Sequence, residues 1–239
     1  MDLGISGRRA AVAAASGGLG FASAAALAAE GAHVTICGSD EQRAKAAAER
    51  IGAAYVVVDL TRADEATRFV EEAAGRMGGV DILVTNGPGP PPGTALDTPA
   101  DAYPAALERN LLSVVHMCLA AVPGMRSAGW GRIVAITSLG VRQPYPNLVL
   151  STTARAGATG FLKTLAIETA EDGVTVNSVL PGFHDTARLR RATGGGPPQG
   201  RVGDAADFGA VVAFLCSQQA GFLTGAAVPV DGGAYQALL

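Results

Sequence analysis

Seven short apolar runs alternating with helix-like stretches constrain the fold of this chain more than any other feature. The runs, at 10–14, 33–37, 55–58, 82–85, 133–137, 175–179 and 227–230, are nearly continuous in apolar residues, as strands buried on both faces are. The stretches between them, at 19–29, 40–51, 64–77, 101–126, 152–171 and 204–216, are long enough for helices. Asp40 and Asp204 stand where N-caps are needed, and Gly31, Gly52 and Gly173 fall at helix ends. Parallel strands need crossover connections. The expected fold is therefore α/β: one domain over 1–239, a doubly wound parallel sheet of about seven strands with helices on both faces.

With 239 residues, 49% of them hydrophobic, the chain can fill one large core. Lys plus Arg number 18 against 21 Asp plus Glu, a formal net charge of −3, which argues against nucleic acid or an anionic membrane surface as partner. Gly17, Gly18 and Gly20 break the apolar run that follows Arg8-Arg9, so a strand–turn–helix explains this segment better than an export signal. No run of eighteen uninterrupted apolar residues occurs, and a cytoplasmic location with no membrane partner is expected. Cys37, Cys118 and Cys216 are widely spaced, and His33, His116 and His184 are scattered. Neither set has metal-ligand spacing, so no metal site is expected and the cysteines read as small buried apolar residues.

The segment Ala13-Ala14-Ala15-Ser16-Gly17-Gly18-Leu19-Gly20 follows a strand and opens a helix, the context of a dinucleotide site. Ala14, Ser16, Gly18, Leu19 and Gly20 are the turn residues expected to meet the cofactor. Gly18 and Gly20 let the backbone approach a pyrophosphate, and the helix N-terminus offers N–H groups and a positive dipole end. NAD sites place a carboxylate at the end of the second strand, but Cys37-Gly38-Ser39-Asp40 supplies none there, Asp40 being explained as an N-cap. Ser39 can hydrogen-bond a 2′-phosphate and Arg43 lies one turn on, so NADP is favoured over NAD.

Two loops depart from the regular alternation. Gly87-Pro88-Gly89-Pro90-Pro91-Pro92-Gly93 follows the fourth strand and is stiffened by proline, as a fixed pocket wall would be. The segment 193–200, Thr-Gly-Gly-Gly-Pro-Pro-Gln-Gly, follows the sixth strand and reads either as a flap over the site or as a slack surface loop.

These residues together resemble the short-chain dehydrogenases/reductases, most closely their ketoacyl-reductase-like branch, over nearly the whole chain. The resemblance implies a Rossmann-like fold. It also implies that Asp59 and Leu60 contact the adenine, and that Asn86 and Gly87 belong to the family's Asn-Asn-Ala-Gly segment. By the same resemblance Asn110 anchors an active-site water, Ser138 polarises the substrate carbonyl, and Pro181, Gly182 and Thr186 touch the nicotinamide end. Thr224-Gly225 and Val230-Asp231-Gly232-Gly233 match the family's C-terminal signature.

The departures bear on chemistry. Ala14 replaces the first glycine of the family's turn. The family's Tyr and Lys fall, by count from Ser138, at Ser151 and Arg155. Arg155 keeps a charge and donors for the ribose hydroxyls. Ser151 is too short and too weak an acid to replace tyrosine. Three substitutes are conceivable: Ser138 through a water on Asn110, His184, or Tyr145. For His184, also counted among the cofactor contacts, the simpler reading is a backbone contact with its ring at the surface. For Tyr145 it is a rim or interface residue, and His116 reads as a packed or interface residue.

The leading expectation is an NADP-dependent oxidoreductase acting on a small carbonyl or alcohol substrate, with an atypical proton relay through Asn110, Ser138, Ser151 and Arg155. The alternative is a non-redox enzyme of cyclase or dehydratase type, or a catalytically inactive binding protein on the same fold. The helices at 101–126 and 152–171 resemble those that pair in the family's oligomers, so a homotetramer or homodimer is expected.

Overall fold

The computed structural model describes residues 1–192 and 201–238. Its strands are β1 (Arg9–Val12), β2 (His33–Gly38), β3 (Ala54–Val57), β4 (Ile82–Thr85), β5 (Gly131–Ile136), β6 (Val174–Pro181) and β7 (Ala227–Val230). All pair in parallel, in the order β3-β2-β1-β4-β5-β6-β7. The helices are α1 (Gly18–Ala29), α2 (Glu41–Ile51), α3 (Ala63–Met77), α4 (Tyr103–Leu107), α5 (Ser113–Ser127), α6 (Val149–Thr169), α7 (Ala187–Ala192) and α8 (Ala205–Leu215). The strand order reverses between β1 and β4. A crevice forms there outside the carboxyl ends of the strands, where ligands bind in sheets of this kind.

The period of two along each strand divides the core into two layers. Ala10, Val12, Ile82, Val84, Val134 and Ile136 face one layer with Leu27 of α1, Ala47 of α2 and Phe208 of α8. Ala11, Ala13, Leu83, Ile133 and Ala135 face the other with Phe69 of α3, Met117 of α5 and Leu165 of α6. Phe69 and Phe208 are both fully buried, one in each layer.

Asp40 caps α2 by accepting from the Arg43 N–H at 2.9 Å, and Asp204 caps α8 by accepting from the Ala206 N–H at 2.8 Å. Gly52 takes the left-handed conformation (φ 65°) that closes α2. β1 ends at Val12, earlier than expected, because Ala13 and Ala14 already turn toward α1.

The helix expected at 101–126 is not one α-helix. A 3-10 turn (Ala100–Ala102) leads into α4, and a π turn (Glu108–Leu112) separates α4 from α5. By length and composition this run, Ala100–Ser127, could cross a membrane. Met117, Cys118 and Met125 nevertheless fill the core beneath it, which accounts for its apolar face. α7 has no counterpart in the apolar pattern, and the segment 193–200, read as a possible flap, lies outside the described residues.

α1 and α8 meet at Gly209, where an added β-carbon would strike the carbonyl of Ala22. Gly209→Ala must push the two helices apart and is expected to cost about 1–3 kcal/mol. Denaturant unfolding checks this, and an unchanged midpoint would contradict the packing described.

Candidate active site

The turn between β1 and α1 is shaped by close backbone approach. Ala14 has φ 47°, the one non-glycine residue with positive φ among the described residues. That conformation costs an L-residue roughly 1–2 kcal/mol, so the fold holds Ala14 where the family has glycine. A β-carbon on Gly20 would lie 2.7 Å from the Ala14 carbonyl oxygen and 2.8 Å from Asn86 Nδ2. Asn86 Nδ2 also donates to that carbonyl, at 3.4 Å, and ties the loop after β4 to the turn.

α1 begins at Gly17 with no side-chain cap and no acidic residue in its first turn. Its first N–H groups are therefore unmatched by side chains, as a site for an anion requires. A β-carbon on Gly18 would lie 3.9 Å from Thr186 Cγ2, so the start of α7 sits beside this N-terminus. Thr186 Oγ1 accepts from the Leu189 N–H at 3.2 Å.

At the other end of the crevice, Gly38 closes β2 against Ser16, whose Oγ would lie 3.2 Å from a β-carbon there. Ser39 is exposed. The Asp40 carboxyl is held below its ordinary range, chiefly by the Arg43 backbone N–H, and it pairs with Arg43 Nε at 3.4 Å. Asp59 is exposed and accepts from the Thr61 N–H at 3.0 Å, whereas Leu60 points into the core, leaving only its backbone for a ligand.

Asn110 sits in the π turn, buried, and donates from Nδ2 to the Pro88 carbonyl at 3.0 Å. Its Oδ1 is buried without a partner. Single π turns inside α-helices are frequent at functional sites. Gly87 lies against the Arg109 carbonyl, 3.3 Å from where its β-carbon would be. The loop 87–93 is pinned at its far end too: the Gly93 N–H donates to the Asn147 carbonyl at 2.9 Å, and the Val149 N–H to the Gly93 carbonyl at 3.2 Å. The loop is thus braced at both ends.

Ser138 follows β5, half-buried, and its Oγ accepts from the Gly140 N–H at 3.0 Å. A β-carbon on Gly140 would lie 3.2 Å from Ser138 Oγ, 3.2 Å from Thr152 Oγ1 and 3.6 Å from Tyr145 Cδ2. Ser138, Thr152 and Tyr145 therefore surround one point. Thr152 Oγ1 is buried and unpartnered, and it escaped the sequence reading because Thr at a helix start is unremarkable. Burial, and secondarily the Asp231 carboxylate, push the Tyr145 hydroxyl up, so it keeps its proton at neutral pH.

Ser151 and Arg155 lie one turn apart on α6 and are both buried. Arg155 Nη1 donates to the Ile136 carbonyl at 2.9 Å. Burial, and then the charge of Arg188, push the Arg155 guanidinium down to about 10, which leaves it charged at neutral pH.

His184 corrects the expectation of a ring at the surface. The ring is buried edge-on against Phe208, centroids 5.1 Å apart, with Nδ1 3.2 Å from the Gly182 carbonyl. It staples the chain before α7 to that after 200, with Gly203 alongside. Gly182 is packed so closely on Asp231 that a β-carbon would lie 2.6 Å from its Cα. Pro181, at the end of β6, is half-buried beside it. His116 Nδ1 lies 3.2 Å from Thr67 Oγ1, joining α5 to α3 away from the crevice. A cavity of about 520 Å³ opens between α1, α7 and α8, with Gly18 and Thr186 in its wall but none of Ser138, Ser151 or Arg155.

The glycine-rich turn, tied by Asn86 to the loop after β4, and Ser138 after β5 thus lie along the same edge of the sheet. The family model described as enoyl-(acyl carrier protein) reductase matches residues 13–235. Bovine dehydrogenase/reductase SDR family member 4 is 32% identical, over 93% of this chain and 85% of its own. The 3-oxoacyl-[acyl-carrier-protein] reductase FabG of Vibrio cholerae is 32% identical over 98% of this chain and 99% of its own. Among solved structures, L-sorbose reductase from Gluconobacter frateurii, complexed with NADPH and L-sorbose, superposes with a TM-score of 0.90 at 29% identity and full coverage of both chains. The chain belongs to the short-chain dehydrogenase/reductase family of oxidoreductase enzymes.

Gly20→Ala is expected to lower stability by about 1–3 kcal/mol, because the new methyl meets backbone and Asn86. Gly17→Ala, with nothing within 4 Å of the added carbon, is the matched control. Equal unfolding midpoints for the two variants would contradict the geometry of the turn.

Proposed function

We propose that this protein is an NADPH-dependent reductase of a small carbonyl compound, with a proton relay that does not run through Ser151. The observation that carries the reading is the junction at Gly20, Ala14 and Asn86. It leaves the uncapped end of α1 open to a diphosphate and ties the turn to the loop after β4. The NADPH named in the L-sorbose reductase complex supports the same cofactor here, as does the absence of a carboxylate on Gly38 and Ser39. When bound, the cofactor would supply the hydride to the carbonyl carbon.

The chain's own groups do the rest. The first N–H groups of α1 and the Arg155 guanidinium bind the phosphate and ribose portions. Ser39 and Arg43 meet the 2′-phosphate, Arg43 leaving Asp40 to do so. Ser138 Oγ donates to the substrate oxygen and orients it. The proton that turns the alkoxide into an alcohol comes from Tyr145, which burial keeps protonated beside Gly140. Asn110 holds the water that returns the proton. The exposed Leu112, Leu119 and Ile167 on the outer faces of the π turn, α5 and α6 support pairing of copies through these elements.

Ser138→Ala and Tyr145→Phe are each expected to lower kcat for NADPH-linked ketone reduction by ~10²–10⁴. KM for NADPH should stay unchanged. Full activity in Ser138→Ala would remove the reductase reading, and full activity in Tyr145→Phe would return the proton to Ser138 and its water. Restoring the family pair with Ser151→Tyr and Arg155→Lys together is expected to raise the rate. No gain with the cofactor still bound would favour a non-redox reaction, the reading that Ser151 and Arg155 support. Ser39→Asp is expected to shift the NADPH-to-NADH affinity ratio toward NADH by about tenfold or more, a carboxylate there repelling a 2′-phosphate.

A further inference from the structure

Two guanidinium groups meet the loop 87–93 at Gly89, and a third lies near one of them. Arg109, in the π turn, places Nη1 3.5 Å from the Gly89 carbonyl oxygen, and its Nε is buried with no hydrogen-bond partner. Arg188, in α7 on the opposite side, lays its guanidinium against Gly89, where a β-carbon would collide with it. Arg155 is close enough for the Arg188 charge to act on it. None of the three is in an ion pair among the described residues. Of the other arginines, seven (9, 43, 62, 68, 76, 126 and 190) hold carboxylates and four (8, 50, 132 and 142) lie over aromatic rings. Arg109 and Arg188 thus bring two cations without a carboxylate to one glycine, where their mutual repulsion favours an anion between them.

Arg155 is committed to the ribose end, which leaves Arg109 and Arg188. Gly89 lies midway along a wall that starts at the phosphate turn, through Asn86, and ends beside Tyr145, through Gly93 and Asn147. The diphosphate already has the N–H groups of α1. The free anion site is therefore on the substrate's side of the cleft, and the planar fork of arginine matches a carboxylate. We propose that Arg109 and Arg188 clasp a carboxylate on the substrate, so that the carbonyl compound reduced here is an oxo acid rather than a neutral ketone. This rests on the reductase reading, and Gly89 is the residue that lets the two arginines meet.

The test is calorimetric titration of the NADP⁺-saturated protein with benzoylformate and, in parallel, with its methyl ester. The ester keeps the ketone and the ring, loses the negative charge and gains one methyl group. The acid is expected to bind about tenfold or more tightly than the ester, the scale of a charged hydrogen-bonded contact. Arg188→Gln, at an exposed position that leaves folding intact, should bring the acid down to the level of the ester, and Arg188→Lys should restore part of the difference. NADP⁺ affinity should be the same in all three proteins. Equal binding of acid and ester to the wild type, or unchanged acid binding in Arg188→Gln, overturns the proposal. So does a loss of NADP⁺ affinity in Arg188→Gln, which would assign the arginine to the cofactor's diphosphate. If the acid binds as expected yet NADPH is not consumed in its presence, the reductase reading fails and the anion site stands.

Discussion

A parallel sheet cannot be closed by hairpins, and that constraint organises the whole molecule. Every connection from β1 to β7 must pass over a face of the sheet, so both faces are covered and the strands become apolar throughout. The same constraint collects the loops that leave the carboxyl ends of β1, β4, β5 and β6 along one edge. The chain changes direction between β1 and β4, and there those loops part to make a crevice. Ala14, Asn86, Ser138 and Gly182 meet at one edge because each directly follows, or lies a residue or two beyond, the end of a strand.

Charge sets the character of that edge. The first turn of α1 has neither cap nor acidic side chain, and the buried Arg155 guanidinium has, among the described residues, a carbonyl as its hydrogen-bond partner. A buried cation without a counter-charge is costly, and the free energy that burial removes is regained when a ligand's oxygens reach it. Arg109 and Arg188 extend the positive region along the wall. Carboxylates around this edge are engaged: Asp40 caps α2, Asp59 holds the turn at Thr61 and Asp185 pairs with Arg190. Arg109, Arg155 and Arg188 therefore stand at this edge without a carboxylate partner among the described residues, in a protein of net charge −3.

Much of this was legible in the amino-acid order because it rests on local rules. Asp40 and Asp204 cap as their positions require, and all seven strands overlap their apolar runs, with ends that differ by at most two residues. What was not legible depends on packing between distant segments. The π turn at Glu108–Leu112 has no local signature, and it holds Asn110, whose partner, the Pro88 carbonyl, lies twenty-two positions away. α7 spans six residues, too few to show a helical period. The ring of His184 turns inward because Phe208, twenty-four positions on, offers it an edge-on face. Arg109 and Arg188 are seventy-nine positions apart, and only the fold brings both to Gly89.

The central claim is that the turn at Ala14–Gly20 still holds a dinucleotide despite a methyl group at φ 47°. Calorimetric titration of the purified protein with NADPH and with NADH tests it most directly. Saturable NADPH binding, at least about tenfold tighter than NADH, is the predicted result. No binding of either would contradict the account, because an uncapped helix end, the Gly20 cradle and a charged Arg155 would then serve no nucleotide.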